Sequence, residues 1–154
     1  MSNSKISAET ILNIQNTIAD YCIALDDQNF ELLHKVFTPD TVANYAAVTD
    51  GNDEIRGVDS FISKVEKVLK NTRTQHALST QRITFKDDGS CDVRTYFQAH
   101  IFTEDPETGV RHTTFFGYYD DNLKEVGTQN WRILKRKVNG HVRDVSQNLM
   151  TQFD

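Results

Sequence analysis

Positive charge is scarce in this chain: 17 lysines and arginines face 22 aspartates and glutamates, a formal net charge of −5 over 154 residues. No basic surplus is left to neutralise phosphates, so nucleic acid is excluded as the expected partner and an anionic membrane surface fits little better. Cysteine is scarcer still. Cys22 and Cys91 form no CxxC and do not cluster with histidine, so neither a zinc ribbon nor a redox pair is written here, and both read as small core hydrophobes. The opening residues, 1–6, lack the apolar run of a signal peptide, and no stretch approaches the length of a membrane span. The cytoplasm is therefore the expected compartment. No internal repeat or low-complexity tract is present.

What is present suits a soluble domain with one sizeable core. Hydrophobic residues make up 38% and charged residues 25%, and residues 1–154 are expected to fold as a single unit. Ile11, Ile14, Ile18, Cys22 and Leu25 recur at the three-and-four spacing of an amphipathic helix, with Ser7 as N-cap and Glu9 in the first turn. The run 26–29 breaks that pattern and leaves Asp26 at the helix end, where the dipole disfavours a carboxylate. A short second helix is expected over 30–36, stopped by a turn at Thr38-Pro39-Asp40, then a strand over 41–48 centred on Tyr45. A third helix follows from Val58, with Phe61, Ile62, Val65, Val68 and Leu69 on its apolar side.

Beyond Asn71 the period changes to two. Residues 74–85 read as a long strand carrying His76 near its start, and Asp88-Gly89 signals a hairpin turn. In 90–103, Cys91, Val93, Thr95, Phe97, Ala99 and Ile101 alternate with polar neighbours. Strands over 110–120 and 130–138 complete the set. Residues 141–154, with Val145, Leu149, Met150 and Phe153, are expected as a C-terminal flap over a pocket mouth. Helices followed by antiparallel strands predict an α+β domain whose curved sheet leaves a hollow at its open end, a natural small-ligand site.

The residues Ala24-Leu25-Asp26-Asp27, Phe37-Thr38-Pro39-Asp40, Tyr45, Thr74-Gln75-His76, His100 and Trp131-Arg132-Ile133 carry a resemblance. Over roughly 7–140 the chain resembles the SnoaL-like branch of the nuclear transport factor 2-like superfamily, and within it is similar to scytalone dehydratase and hexachlorocyclohexane dehydrochlorinase. The resemblance implies a cone-shaped, mostly antiparallel sheet with N-terminal helices on its concave side, and a pocket holding an Asp26–His76 pair. It also implies His100 as a second pocket histidine, and Tyr45 as a holder of water on a substrate carbonyl. Leu25 stands where scytalone dehydratase has a second tyrosine, so that water is either missing or rebuilt.

Composition alone makes Asp27 as good a candidate as Asp26; only the resemblance selects Asp26. His100 shares its strand face with Tyr96, Gln98 and Phe102, and that face is either pocket or oligomer surface. His34, His112 and His141 read as surface histidines, and the basic run 132–137 as a solvated edge or oligomer contact.

An imidazole aimed by a carboxylate is a general base near neutral pH, and a second histidine can protonate a leaving hydroxyl. The expected activity is a cofactor-independent, metal-free dehydratase acting on a small apolar carbonyl compound, polyketide- or terpenoid-like. Asp26, His76 and His100 are the catalytic candidates, and Leu25, Tyr45, Leu78 and Phe102 the substrate-binding ones. Isomerisation or cyclisation with the same base is the first alternative, and a non-catalytic ligand-binding or oligomerisation module the second. A homo-oligomer, dimer or trimer, is expected.

Overall fold

A computed structural model describes residues 6–47, 54–107 and 109–146. Helix α1 runs from Ala8 to Asp26, and the Ser7 hydroxyl caps it by accepting from the Thr10 amide at 3.0 Å. Its buried face holds Ile14, Ile18, Tyr21, Cys22 and Leu25. Ile11 is 39% exposed, so the apolar stripe starts one turn later than its spacing suggested and takes in Tyr21. A short 3-10 turn, Phe30–Leu32, leads into one helical turn, α2 (Leu33–Val36), in place of one continuous helix.

The expected turn at Thr38-Pro39-Asp40 is instead part of strand β1, Phe37–Asn44. β1 pairs in parallel with β6 (Asn130–Ser146), and the pairing is irregular between Phe37 and Val42, the interval that holds Pro39. A proline cannot donate to a ladder, and a break in pairing accommodates it. Tyr45 lies just past the strand's end rather than in its middle. Strand β2 (Glu54–Arg56) pairs with β1, and α3 (Val58–Leu69) follows.

The long strands are β3 (Thr72–Phe85), β4 (Cys91–Asp105) and β5 (Gly109–Gly127), completed by β6. The sheet order is β2-β1-β6-β5-β4-β3, with only the β1–β6 pair parallel. The three helices and six-stranded, mostly antiparallel open sheet are the α+β architecture the sequence implied. Ile14, Ile18, Leu33, Phe37, Phe61, Leu123 and Ile133 are fully buried in the core. β6 continues eight residues past the expected end at Val138, so 141–146 is strand and not flap, His112 pairing with Ser146. The rest of the expected flap, 147–154, lies outside the described residues. No described helix is long and apolar enough to cross a membrane.

Irregularities set where side chains point. The β3–β4 register slips between Leu78 and Gln81, so Thr74, His76 and Leu78 face inward before the slip and Gln81, Ile83 and Phe85 after it. The β5–β6 register slips between Asn122 and Leu123, which reverses the phase of β6 and turns Arg136 inward. At the next slip a Cβ on Gly117 would stand 2.1 Å from the Asn139 carbonyl oxygen, so only glycine lets β5 and β6 approach this closely.

Candidate active site

α1 ends beside β3, and Gln28 makes the join. Its backbone is left-handed (φ 54°), and its side-chain amide donates to the carbonyls of Leu69 at 3.0 Å and Thr72 at 2.7 Å. The end of α1 is thereby tied to the start of β3. Asp26 uses the proximity fully: its carboxylate accepts from the Thr74 hydroxyl at 2.8 Å, from the His76 amide at 2.8 Å and from His76 Nδ1 at 2.7 Å. Burial pushes the Asp26 carboxyl up, but the bonds from the His76 ring, the His76 amide and Thr74 outweigh it and hold the group below its ordinary 3.8. An ionised carboxylate only accepts, so in the neutral ring His76 Nδ1 carries the proton and Nε2 the lone pair. Among the described residues Nε2 has no hydrogen-bond partner, and the His76 side chain, 7% exposed, lines a cavity.

That cavity has a volume of about 550 Å³ and lies between the helices and the inner face of the sheet. Its wall is largely apolar: the rings of Tyr21, Tyr45, Phe61, Phe97, Phe115 and Tyr119 contribute beside aliphatic side chains, and Lys64 and Lys67 also line it. Phe97 and Tyr119 stack at 4.3 Å, and Tyr21 meets the His76 ring edge-on at 6.2 Å. The hydroxyls of Tyr21 and Tyr45 are 3.0 Å apart. Burial is the main cause that raises both phenols, and Arg136 pulls against it, so both remain protonated hydrogen-bond donors at neutral pH.

Arg136 lies beneath these rings, its guanidinium carbon 4.0 Å from the centre of Tyr21 and 4.2 Å from that of Tyr119. It is fully buried and holds Asp121 through parallel bonds of 2.7 and 2.8 Å. Burial pushes the Asp121 carboxyl up; the facing guanidinium keeps it ionised, and the pair holds Arg136 protonated well above its ordinary range. The basic run 132–137 is therefore no uniformly solvated edge, because Arg136 is internal.

The structure brings together Asp26, His76, Leu25 and Tyr45, and adds Tyr21 beside them. It does not bring His100. β4 places Phe97, Ala99 and Ile101 on the cavity side, so His100 and Phe102 point to the opposite face, against His112. The alternation from Cys91 to Ile101 was the sequence signal for this placement. Leu78 packs against the core without lining the cavity. Cys22 and Cys91 are buried, and burial pushes both thiols up to about 12, as suits inert core positions.

Residues 7–137 match the model of the SnoaL-like domain. An uncharacterized Mycobacterium tuberculosis protein is 27% identical over 131 residues, covering 81% of each chain. A Novosphingobium aromaticivorans structure named as a candidate scytalone dehydratase superposes with a TM-score of 0.74 at 23% identity, covering 92% of this chain and 93% of that one. A type 2 hexachlorocyclohexane dehydrochlorinase superposes with a TM-score of 0.75 at 14% identity, covering 90% and 89%. At such identities the structural likeness is one of fold.

Proposed function

The chain belongs to the SnoaL-like domain family, and on that premise we propose that it is a cofactor-independent lyase that dehydrates a small, largely apolar carbonyl compound of polyketide or terpenoid type. The observation that carries the reading is the Asp26–His76 pair, with the free ring nitrogen facing an aromatic cavity. Similarity in fold to a dehydrochlorinase and to a protein named as a candidate dehydratase supports it.

His76 Nε2 takes a proton from the carbon next to the carbonyl, and the electron pair moves onto the carbonyl oxygen. Asp26 stabilises the imidazolium that forms and keeps the ring aimed. The Tyr21 and Tyr45 hydroxyls share a hydrogen bond, and the one whose proton is not spent on it donates to the enolate oxygen, with the Arg136 charge beneath. The enolate then collapses, the bond to the neighbouring hydroxyl breaks, and the proton on His76 leaves with it as water. One base thus serves both proton transfers, and His100 has no part.

That economy also supports isomerisation or cyclisation as the second reading, since among the described residues His76 is the one imidazole lining the cavity. Incubation with a panel of β-hydroxy ketones in deuterated water separates the outcomes. Dehydration releases water in the parent and not in His76→Gln; isomerisation or cyclisation retains the atoms of the substrate and adds carbon-bound deuterium. Saturable binding with no conversion of any panel member would make the cavity a ligand cradle and overturn the proposal.

A further inference from the structure

His100 and His112 are left unused by the cavity. They stand on the outer face of the sheet, His100 opposite Thr114 across β4 and β5, and His112 opposite Phe102 in the next row. His100 Nδ1 is 3.0 Å from His112 Nε2 and 3.1 Å from Thr114 Oγ1, and His112 Nε2 is 3.0 Å from the same hydroxyl. Three polar atoms therefore form a nearly equilateral triangle. Hydrogen bonding by itself cannot satisfy all three sides. A ring nitrogen offers one in-plane position, either N–H or lone pair, so two nitrogens and one hydroxyl make at most two of the three bonds.

The His100–Thr114–His112 chain of two bonds satisfies each atom but leaves the two ring nitrogens 3.0 Å apart with no bond between them, a spacing that a shared cation fits. Two imidazole nitrogens each about 2.1 Å from one ion, at a right angle, are about 3.0 Å apart, whereas a tetrahedral angle would spread them to about 3.4 Å. We propose that His100, His112 and Thr114 form a binding site for a six-coordinate, imidazole-preferring divalent cation such as Ni²⁺, on the sheet face opposite the cavity. The two imidazoles and the hydroxyl occupy three mutually adjacent positions, and the other three remain for water or for a group brought by a partner. Phe102 stacks on His112 at 4.6 Å and 8°, which holds that ring in place before an ion arrives. Nitrogen ligands select against Mg²⁺ and Ca²⁺, which require oxygen. With two imidazoles, the affinity is that of a weak site rather than of a structural zinc centre.

The test is a titration of the whole chain with Ni²⁺, followed by calorimetry and by imidazole NMR, in which the paramagnetic ion broadens the rings nearest to it. The expected result is one ion per chain, with His100 and His112 broadened first while His34, His76 and His141 stay sharp. His112→Gln should weaken binding at least about tenfold without altering the thermal midpoint, and Thr114→Val should weaken it less. His100→Gln provides the same comparison if the change at 112 disturbs the strand, and His76→Gln should bind like the parent. Broadening led by His34 or His141, or unchanged affinity in both glutamine variants, would overturn the site.

Discussion

The hydroxyl of Tyr21 lies 3.0 Å from that of Tyr45, and Tyr21 precedes Leu25 by one helical turn. Position 25 is a leucine, and Tyr21, from the same helix face, is the phenol that stands beside Tyr45 in the cavity wall. Removing either hydroxyl should leave the aromatic packing intact. On a substrate that the protein turns over, Tyr21→Phe and Tyr45→Phe should each lower kcat by about 10²–10³-fold with little change in thermal midpoint. A loss confined to KM would show that the hydroxyls bind the ground state and not the developing enolate.

Asp26→Asn tests the orientation of the base. An amide can present its N–H to the ring, so His76 would shift its proton to Nε2 and lose the lone pair that faces the cavity. Imidazole ¹⁵N shifts should report the change of tautomer, and turnover should fall by about 10²–10⁴-fold. A parent-like tautomer in the variant would mean that the backbone, not the carboxylate, sets the ring.

Asp26 should also mark the acid limb of the stability profile. Its folded pKa is depressed, so its contribution is fully present above the unfolded value of about 3.9 and is lost as pH falls through the folded one. Urea midpoints of the parent and Asp26→Asn should therefore converge on acidification from about pH 6 to pH 3. A gap that stays constant over that range would mean the carboxylate gains nothing from folding.

Breaking the buried pair on one side should be costly. Arg136→Met leaves the Asp121 carboxyl buried without its counter-ion, and a loss of about 3–5 kcal/mol is expected from denaturant unfolding. The double change Arg136→Met with Asp121→Leu should recover much of it. A single variant as stable as the parent would show that the pair is not held desolvated in solution.

Gly117→Ala should fold poorly, since its Cβ would collide with the Asn139 carbonyl at 2.1 Å and meet the Phe97 ring at 3.1 Å. The expected readout is a depressed thermal midpoint, with Phe116→Ala, one residue away, much milder.

Local periodicity was legible along the chain. The stripe from Ile14 to Leu25 specified α1, the alternation from Cys91 to Ile101 specified β4, and Asp88-Gly89 specified the hairpin turn, with Gly89 at φ 81°. Each of these is a contest between neighbouring residues for backbone conformation and burial, and the residues concerned are adjacent in sequence. The meeting of Asp26 with His76 was read from a family pattern and not from spacing, since the partners are 50 positions apart. His100 lies on the face that the two-residue period from Cys91 to Ile101 gives it, and not in the cavity that its motif position implies.

Tertiary structure decided what depends on register. Arg136 lies two residues from Leu134 in a run of lysines and arginines, and simple alternation from Trp131 and Ile133 would point it outward. One unpaired residue in the β5–β6 ladder reverses the phase and sets Arg136 directly opposite Asp121, so its charge can be buried because its counter-ion is supplied by the neighbouring strand. The chain by itself determined α1, α3 and the central parts of the long strands, because those preferences are local, whereas the strand at Thr38-Pro39-Asp40 and the end of β6 exist through pairing with a neighbouring strand. Which faces meet across the cavity, and therefore which titratable groups share it, was settled by pairing slips whose energy resides in contacts between strands.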